Sequence, residues 1–339
     1  MQRKRDPVER ADQQSTDLYD VSTWEPRSVV DVLSYTIYNV INYGLHAIVI
    51  GVALVITLFL LIQPGILILE QPLLSIFFGL SVVPAALLAG FIWYTDITSN
   101  EPLSLLVATF VLAVLFATFA AIVNSVTRPW FEAIPLIGTA LFFFLIVGPV
   151  EETVKLLAVR VFAYRSNTFD AVIDGAVYGA IAGLGFAAIE NAIYIAGTIA
   201  EADVGIFTAA TGIATVRALV GPGHVIYSAI AGYYLGLAKF NPQYAGPIVV
   251  KGLLIAAFVH AVYNTTVGIV PGLIAGFYPV SADFAFIGYV LLFNIAVGYY
   301  LYRKIARYRR TYSAVRDDTS EAPKPELTEF DPPRQKKSR

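Results

Sequence analysis

The chain contains no cysteine. Disulfides, thiolate catalysis and cysteine-ligated metals are therefore excluded. Charge is scarce as well. Asp, Glu, Lys and Arg make up 14% of the 339 residues, and the formal net charge is −2. That balance leaves no basic footprint for nucleic acid. The basic start, Met1-Gln2-Arg3-Lys4-Arg5, is followed by polar sequence to about residue 30. A cleaved signal peptide would carry its apolar stretch directly after those residues, so none is expected.

What is abundant is apolar sequence. Hydrophobic residues make up 57% of the chain, and the mean hydropathy is +0.67. The excess comes as repeated long runs, each near the ~20 residues that cross a bilayer as helix. Eight such runs lie at 44–66, 72–94, 103–124, 136–160, 171–198, 213–238, 247–270 and 284–302. The expected fold is an all-α polytopic transmembrane helix bundle, in the cell membrane and surrounded by the lipid bilayer. Residues 1–30 read as a polar, disordered arm and 31–302 as the transmembrane domain, with Val29–Tyr43 as an interfacial helix. The tail 303–339 opens on Arg303, Lys304, Arg307, Arg309 and Arg310 and turns Pro- and charge-rich, so it is expected to be disordered. Basic residues favour cytoplasmic loops. Arg160, Arg165, Lys239 and Lys251 then flank inner loops, which gives N-in/C-in topology with both tails cytoplasmic. The 95–102 loop fits this least, since it holds Asp96 and Glu101 and no basic residue.

The run at 171–198 repeats a small residue every four: Ala171, Gly175, Gly179, Gly183 and Ala187. Such faces let helices approach closely in lipid, where little hydrophobic drive brings them together. This helix is expected to be central.

Few strongly polar side chains lie deep in the runs, and those that do fall in four consecutive ones, between residues 136 and 270. Glu151, Glu152 and Lys155 share one. Glu190 and Asn191 follow, then His224, then His260 and Asn264. A charge at bilayer depth is costly and by default marks a functional site. Glu151 and Lys155, four apart, share a helix face, as do His260 and Asn264, and Phe186 and Glu190. Glu151 lies nine residues before Arg160, roughly 13 Å from the inner end of its helix. A Glu in a partly dry site can act as general base on water. A His and an Asn on one face can donate hydrogen bonds to a developing oxyanion. Each residue also has a plainer reading. Glu151 and Lys155 would make a structural ion pair, His224 a satisfied interior histidine, and Asn191 a helix–helix hydrogen-bond residue. Asp170 and Asp174 read as helix caps, and His46 as interfacial. Arg217 would snorkel or pair with an acid. Glu151, Glu190, His224 and His260 would together suit a metal such as zinc, but no HExxH motif is present. The residues alone leave glutamate-activated and metal-activated water both open. A different class of function also fits them. Buried Glu, Lys and His residues on consecutive spans would make a proton relay in a transporter or channel.

Four motifs in order sharpen this: Glu151-Glu152-Thr-Val-Lys155; Asp174 through Phe186 to Glu190-Asn191; Arg217 through His224; and His260-Ala-Val-Tyr-Asn264. Together they resemble the PrsW family of intramembrane proteases. That family is similar to the wider superfamily of CAAX prenyl endopeptidases and bacteriocin-processing membrane proteases. The resemblance implies a helical bundle with its site inside the membrane and a membrane-anchored protein as substrate. The family's role implies an anti-sigma factor cut as the first step of regulated proteolysis. It makes Glu151 the base that activates water, with Glu152 as its partner. His260 and Asn264 become the oxyanion donors, and His224, Lys155, Glu190, Asn191 and Phe186 complete the site. No cofactor is required by this reading, and zinc is the one the residues would suit. One departure stands out: CAAX enzymes place a histidine where this chain has Glu190, so His224 is expected to take that part.

Overall fold

The computed structural model describes Asp17, residues 25–98 and residues 101–320; at Asn42, Leu45, His46 and 316–320 it describes the backbone alone. His46, most of the N-terminal arm and the last part of the tail therefore lie outside the described side chains. All regular structure among the described residues is helical. The chain divides into two compact units, Met1–Ile56 and Thr57–Arg339.

The first unit holds most of helix α1, Val29–Leu60. Ser28 and Asp31 start it by a reciprocal cap. The Ser28 N–H donates to Asp31 Oδ2 at 2.7 Å, and the Asp31 N–H donates to Ser28 Oγ at 3.1 Å. The expected interfacial helix runs without a break into the first span, and that helix ends at Leu60, short of the span's expected end at residue 66.

In the second unit come α2 (Ile62–Glu70), α3 (Leu74–Tyr94) and α4 (Leu103–Glu132). Next are α5 (Gly138–Phe142), a π turn (Phe143–Val147) and α6 (Gly148–Val161). They are followed by α7 (Val172–Glu201), α8 (Ile206–Lys239), α9 (Ala245–Thr266), α10 (Val270–Phe277) and α11 (Ala282–Ser320). Among the described residues, seven helices are long and apolar enough to cross a membrane. The eighth expected span, 136–160, is a helical run broken by the π turn. It also carries Glu151, Glu152, Lys155 and Arg160, more charge than a lone spanning helix holds, and it needs neighbours to shield it. The last span does not stop near residue 302. Its helix continues to Ser320 and carries the basic cluster with it.

α7 is the axis of the bundle, as its small-residue repeat predicts. Its apolar window is 78% buried, against 61% for α8 and 39% or less for the other spanning helices. Two glycines show how close approach builds the site. A Cβ at Gly183 of α7 would stand 2.4 Å from the carbonyl oxygen of His224 on α8. One at Gly148 would stand 2.6 Å from the carbonyl oxygen of Ala257 on α9, one turn before His260. The π turn just before Gly148 has a local cause. Pro149 has no N–H to close the regular ladder, and its ring crowds the turn behind it. Widening that turn relieves both, and such π segments often occur at functional sites.

Gly183→Ala should therefore force α7 and α8 apart and lower stability by about 1–3 kcal/mol. Gly197→Ala is the control on the same helix, because nothing lies within 4 Å of the added carbon. It should be neutral or slightly stabilising. Thermal unfolding of both variants in detergent checks the difference.

Candidate active site

Glu151, Glu152 and Lys155 occupy the first two turns of α6, and all three are buried. Glu152 lies inward and is fully covered. Its Oε1 accepts from Lys155 Nζ at 2.7 Å and lies 2.8 Å from His260 Nδ1. Its Oε2 accepts from Ser228 Oγ at 3.4 Å. An ionised carboxylate only accepts, so the proton of His260 sits on Nδ1 and leaves the Nε2 lone pair free. That Nε2 is 3.7 Å from Glu151 Oε2.

Lys155 was expected to pair with Glu151, four residues away. Its short contact is instead with Glu152, three away, and Glu151 Oε2 stands at 3.8 Å. Both spacings place side chains on one helix face. The third partner decides between them. Lys155 Nζ also donates to His224 Nδ1 at 2.9 Å and lies 4.2 Å above the Phe186 ring. His224 therefore carries its proton on Nε2, which donates to Glu190 Oε2 at 2.8 Å. The two histidine rings stand perpendicular with centroids 5.3 Å apart.

Glu190 is held from the other side too. Arg217 Nη2 donates to its Oε2 at 2.6 Å. Arg217 Nε donates to Asn191 Oδ1 at 2.8 Å, and Asn191 Nδ2 donates to the carbonyl of Ser81 at 3.0 Å. Asn191 thus ties α7 to α3 and α8. It is a buried anchor and does not line the cavity.

Glu151 has the most open environment of the acids on α6. Its Oε1 accepts from Asn124 Nδ2 of α4 at 3.1 Å. Its Oε2 is buried and has no hydrogen-bond partner among the described residues. Glu151 lines a cavity of about 640 Å³ whose walls include Asn124, Glu190, Arg217, His224, His260 and Asn264. Asn264 lies at the wall, one turn beyond His260 on α9. Glu152 and Lys155 do not reach the cavity, so they act on it through His260 and His224.

Asn124 was not read as a site residue from the sequence. It falls at the last position assigned to its span, where a polar side chain looks like a helix end. Nothing in the sequence pairs it with α6. The ring of Tyr227 against His260, centroids 5.4 Å apart, is likewise a product of tertiary packing.

The chemistry of this arrangement is clear from its donors. The carboxylate of Glu151 and the two imidazoles border the cavity. Glu151, His224 and His260 each offer one ligand atom within 4.8 Å of the others. A carboxylate with two imidazoles is a set that suits zinc. Glu151 Oε2 and His260 Nε2 are open for such a role, whereas both ring nitrogens of His224 are engaged, by Lys155 and Glu190, so His224 would have to give up its bond to Glu190 to serve as a ligand. Glu190 stands outside this group because Arg217 and His224 take its Oε2.

Comparison with known proteins converges on the same region. A family model described as PrsW family intramembrane metalloprotease matches residues 101–298. The chain is 28% identical to Protease PrsW of Halalkalibacterium halodurans over 186 residues, which cover 54% of this chain and 80% of the relative. It is 31% identical to Protease PrsW of Geobacillus kaustophilus over 184 residues, covering 54% and 76%. It is 29% identical to Protease PrsW of Bacillus subtilis over 187 residues, covering 54% and 78%. No solved structure matches the chain.

Proposed function

The chain belongs to the PrsW family of intramembrane proteases and is a multi-pass integral membrane protein, and from that premise we propose that it is an endopeptidase that hydrolyses a peptide bond of a membrane-anchored protein at Glu151. One observation carries this reading: Glu151 lines the cavity, and its buried Oε2 has no hydrogen-bond partner among the described residues. A water placed there has an acceptor for its proton. His260 Nε2, held by Glu152 through Nδ1, is the nearest group able to share that proton. Asn264 can turn its amide N–H toward a developing oxyanion from the cavity wall. Lys155 and Glu190 hold His224, Arg217 holds Glu190, and Glu152 holds His260.

A divalent cation would be held by Glu151, His224 and His260. When bound, zinc supplies a Lewis acid and lowers the pKa of its water toward neutrality. The glutamate route and the cation route share the water beside Glu151, and we favour the glutamate route. The topology in this reading is N-in/C-in, and the substrate is of the anti-sigma-factor kind.

The test uses the purified full chain in liposomes with a single-span, membrane-anchored peptide. Cleavage should appear, and it should persist after chelation with no stoichiometric zinc in the preparation. Loss on chelation with rescue by zinc would move water activation to the cation. Absence of cleavage of any single-span peptide, with protein that is folded, would count against the function itself.

A further inference from the structure

A second group of acids lies well away from the hydrolytic cluster. Asp174, at the start of α7, is 16 residues from Glu190, roughly 24 Å along the helix. It meets Asp96 and Glu101, which come from the connection between α3 and α4. One carboxylate oxygen of each lies within 4.8 Å of the others. One oxygen of each aspartate is already satisfied. Asp174 Oδ2 accepts the N–H groups of Asp170 and Ala171 at 2.8 and 2.9 Å, which caps α7. Asp96 Oδ1 accepts the N–H and hydroxyl of Thr98 at 2.8 and 2.7 Å.

The remaining oxygens have few donors. Glu101 is 4% exposed, no N–H or hydroxyl of another described residue donates to its oxygens, and its side-chain hydrogen-bond neighbour is the carboxyl of Asp96. Asp96 Oδ2 is buried in the same state. Asp174 Oδ1 has only the Thr98 hydroxyl at 3.3 Å. The Tyr178 hydroxyl, one turn along α7 from Asp174, lies buried beside Thr168 and near Glu101. No lysine or arginine pairs with any of the three acids among the described residues. Lys239, the basic group that acts on Asp174, spends its ammonium on the carbonyls of Tyr164 and Ser166 at 2.8 and 3.1 Å.

Buried carboxylates are paired, bound to a cation, or neutralised by a proton. Here the converging donors are all oxygen, with no nitrogen or sulfur, which selects a hard cation. We propose that Asp96, Glu101 and Asp174 form a structural site for a divalent cation of the Ca2+ or Mg2+ type, which fastens the α3–α4 connection to the N-terminus of α7. This site is independent of the proteolytic reading. The groups around Glu101 are Asp96, Asp174 and Tyr178, with Lys239 and Tyr308 acting on the same acids.

The experiment is thermal unfolding of the full chain in detergent, stripped by chelator and titrated separately with Ca2+ and Mg2+. It is run in the Glu151→Gln background, so the histidine cluster is not the responder. One of the two ions should raise the midpoint saturably by about 3–5 °C, and the ion effective at lower concentration identifies the occupant. Glu101→Gln should abolish the response. Asp96→Asn is the second variant, and it should do the same. Two results would overturn the proposal: no shift with either ion, or an undiminished shift in a folded Glu101→Gln or Asp96→Asn protein. A Glu101→Gln chain that is simply more stable, in a protein blind to both ions, would show a shared proton in the cation's place.

Discussion

Glu151→Gln should lower peptide-bond hydrolysis by about 10³-fold, within the range that general-base removal costs, and leave the fold intact. The substitution keeps shape and volume. The amide oxygen of the new side chain can still accept from Asn124, as Glu151 Oε1 does at 3.1 Å. Its NH2 can donate toward His260 Nε2, which the native oxygen faces at 3.7 Å. What is lost is the acceptor for the water's proton. Because Glu151 Oε2 has no hydrogen-bond partner among the described residues, the loss falls on the reaction and not on a structural network. Glu152→Gln should behave in the opposite sense. Glu152 is fully buried between Lys155 and His260, so its neutralisation should disturb stability and the setting of His260 together. Thermal midpoints and turnover measured on both variants separate the two roles.

Lys155→Met should be the most destabilising single change in the site, by roughly 3–5 kcal/mol, as expected when one member of a buried charge pair is removed. The lysine side chain is wholly buried, with its ammonium 2.7 Å from Glu152 and 3.8 Å from Glu151. It also donates to His224 at 2.9 Å. Methionine fills the space but leaves two carboxylates and an imidazole nitrogen without their shared cation. The variant should recover stability when Glu152→Gln is added, because the second change removes the charge that was stranded. A double-mutant cycle on thermal unfolding reads this coupling, and an interaction of about 1 kcal/mol or more is expected for groups in direct contact. Additive losses would show that Lys155 is there for packing alone.

Much of this arrangement is legible from spacing. Long apolar runs give the helices, and the small residues every four from Ala171 to Ala187 make α7 the axis. The polar residues of four consecutive runs meet because those runs pack together. What spacing cannot give is the pairing across helices. The distance of three or four residues allows Lys155 either glutamate, and only His224 on α8 decides for Glu152. Asn124 meets Glu151 because α4 packs on α6, which no local pattern encodes. The acids at 95–102 looked like a weakness in the charge rule for loops. Their meaning depends on Asp174, more than 70 residues later, and appears only once α7 is folded against them. The π turn before Gly148 is a similar case: Pro149 announces a disturbance in the helix, but the form that relieves it depends on the close contact with α9.

The central claim is that the cluster around Glu151 hydrolyses a peptide bond. The most direct measurement is mass spectrometry of a membrane-anchored peptide incubated with the purified chain in liposomes, in water enriched in oxygen-18. Two fragments are expected, with one solvent oxygen at the new C-terminal carboxylate, and none from Glu151→Gln protein of unchanged thermal midpoint. An intact peptide, together with proton flux across the same liposomes that vanishes in Glu151→Gln, would contradict it and make the cluster a proton relay.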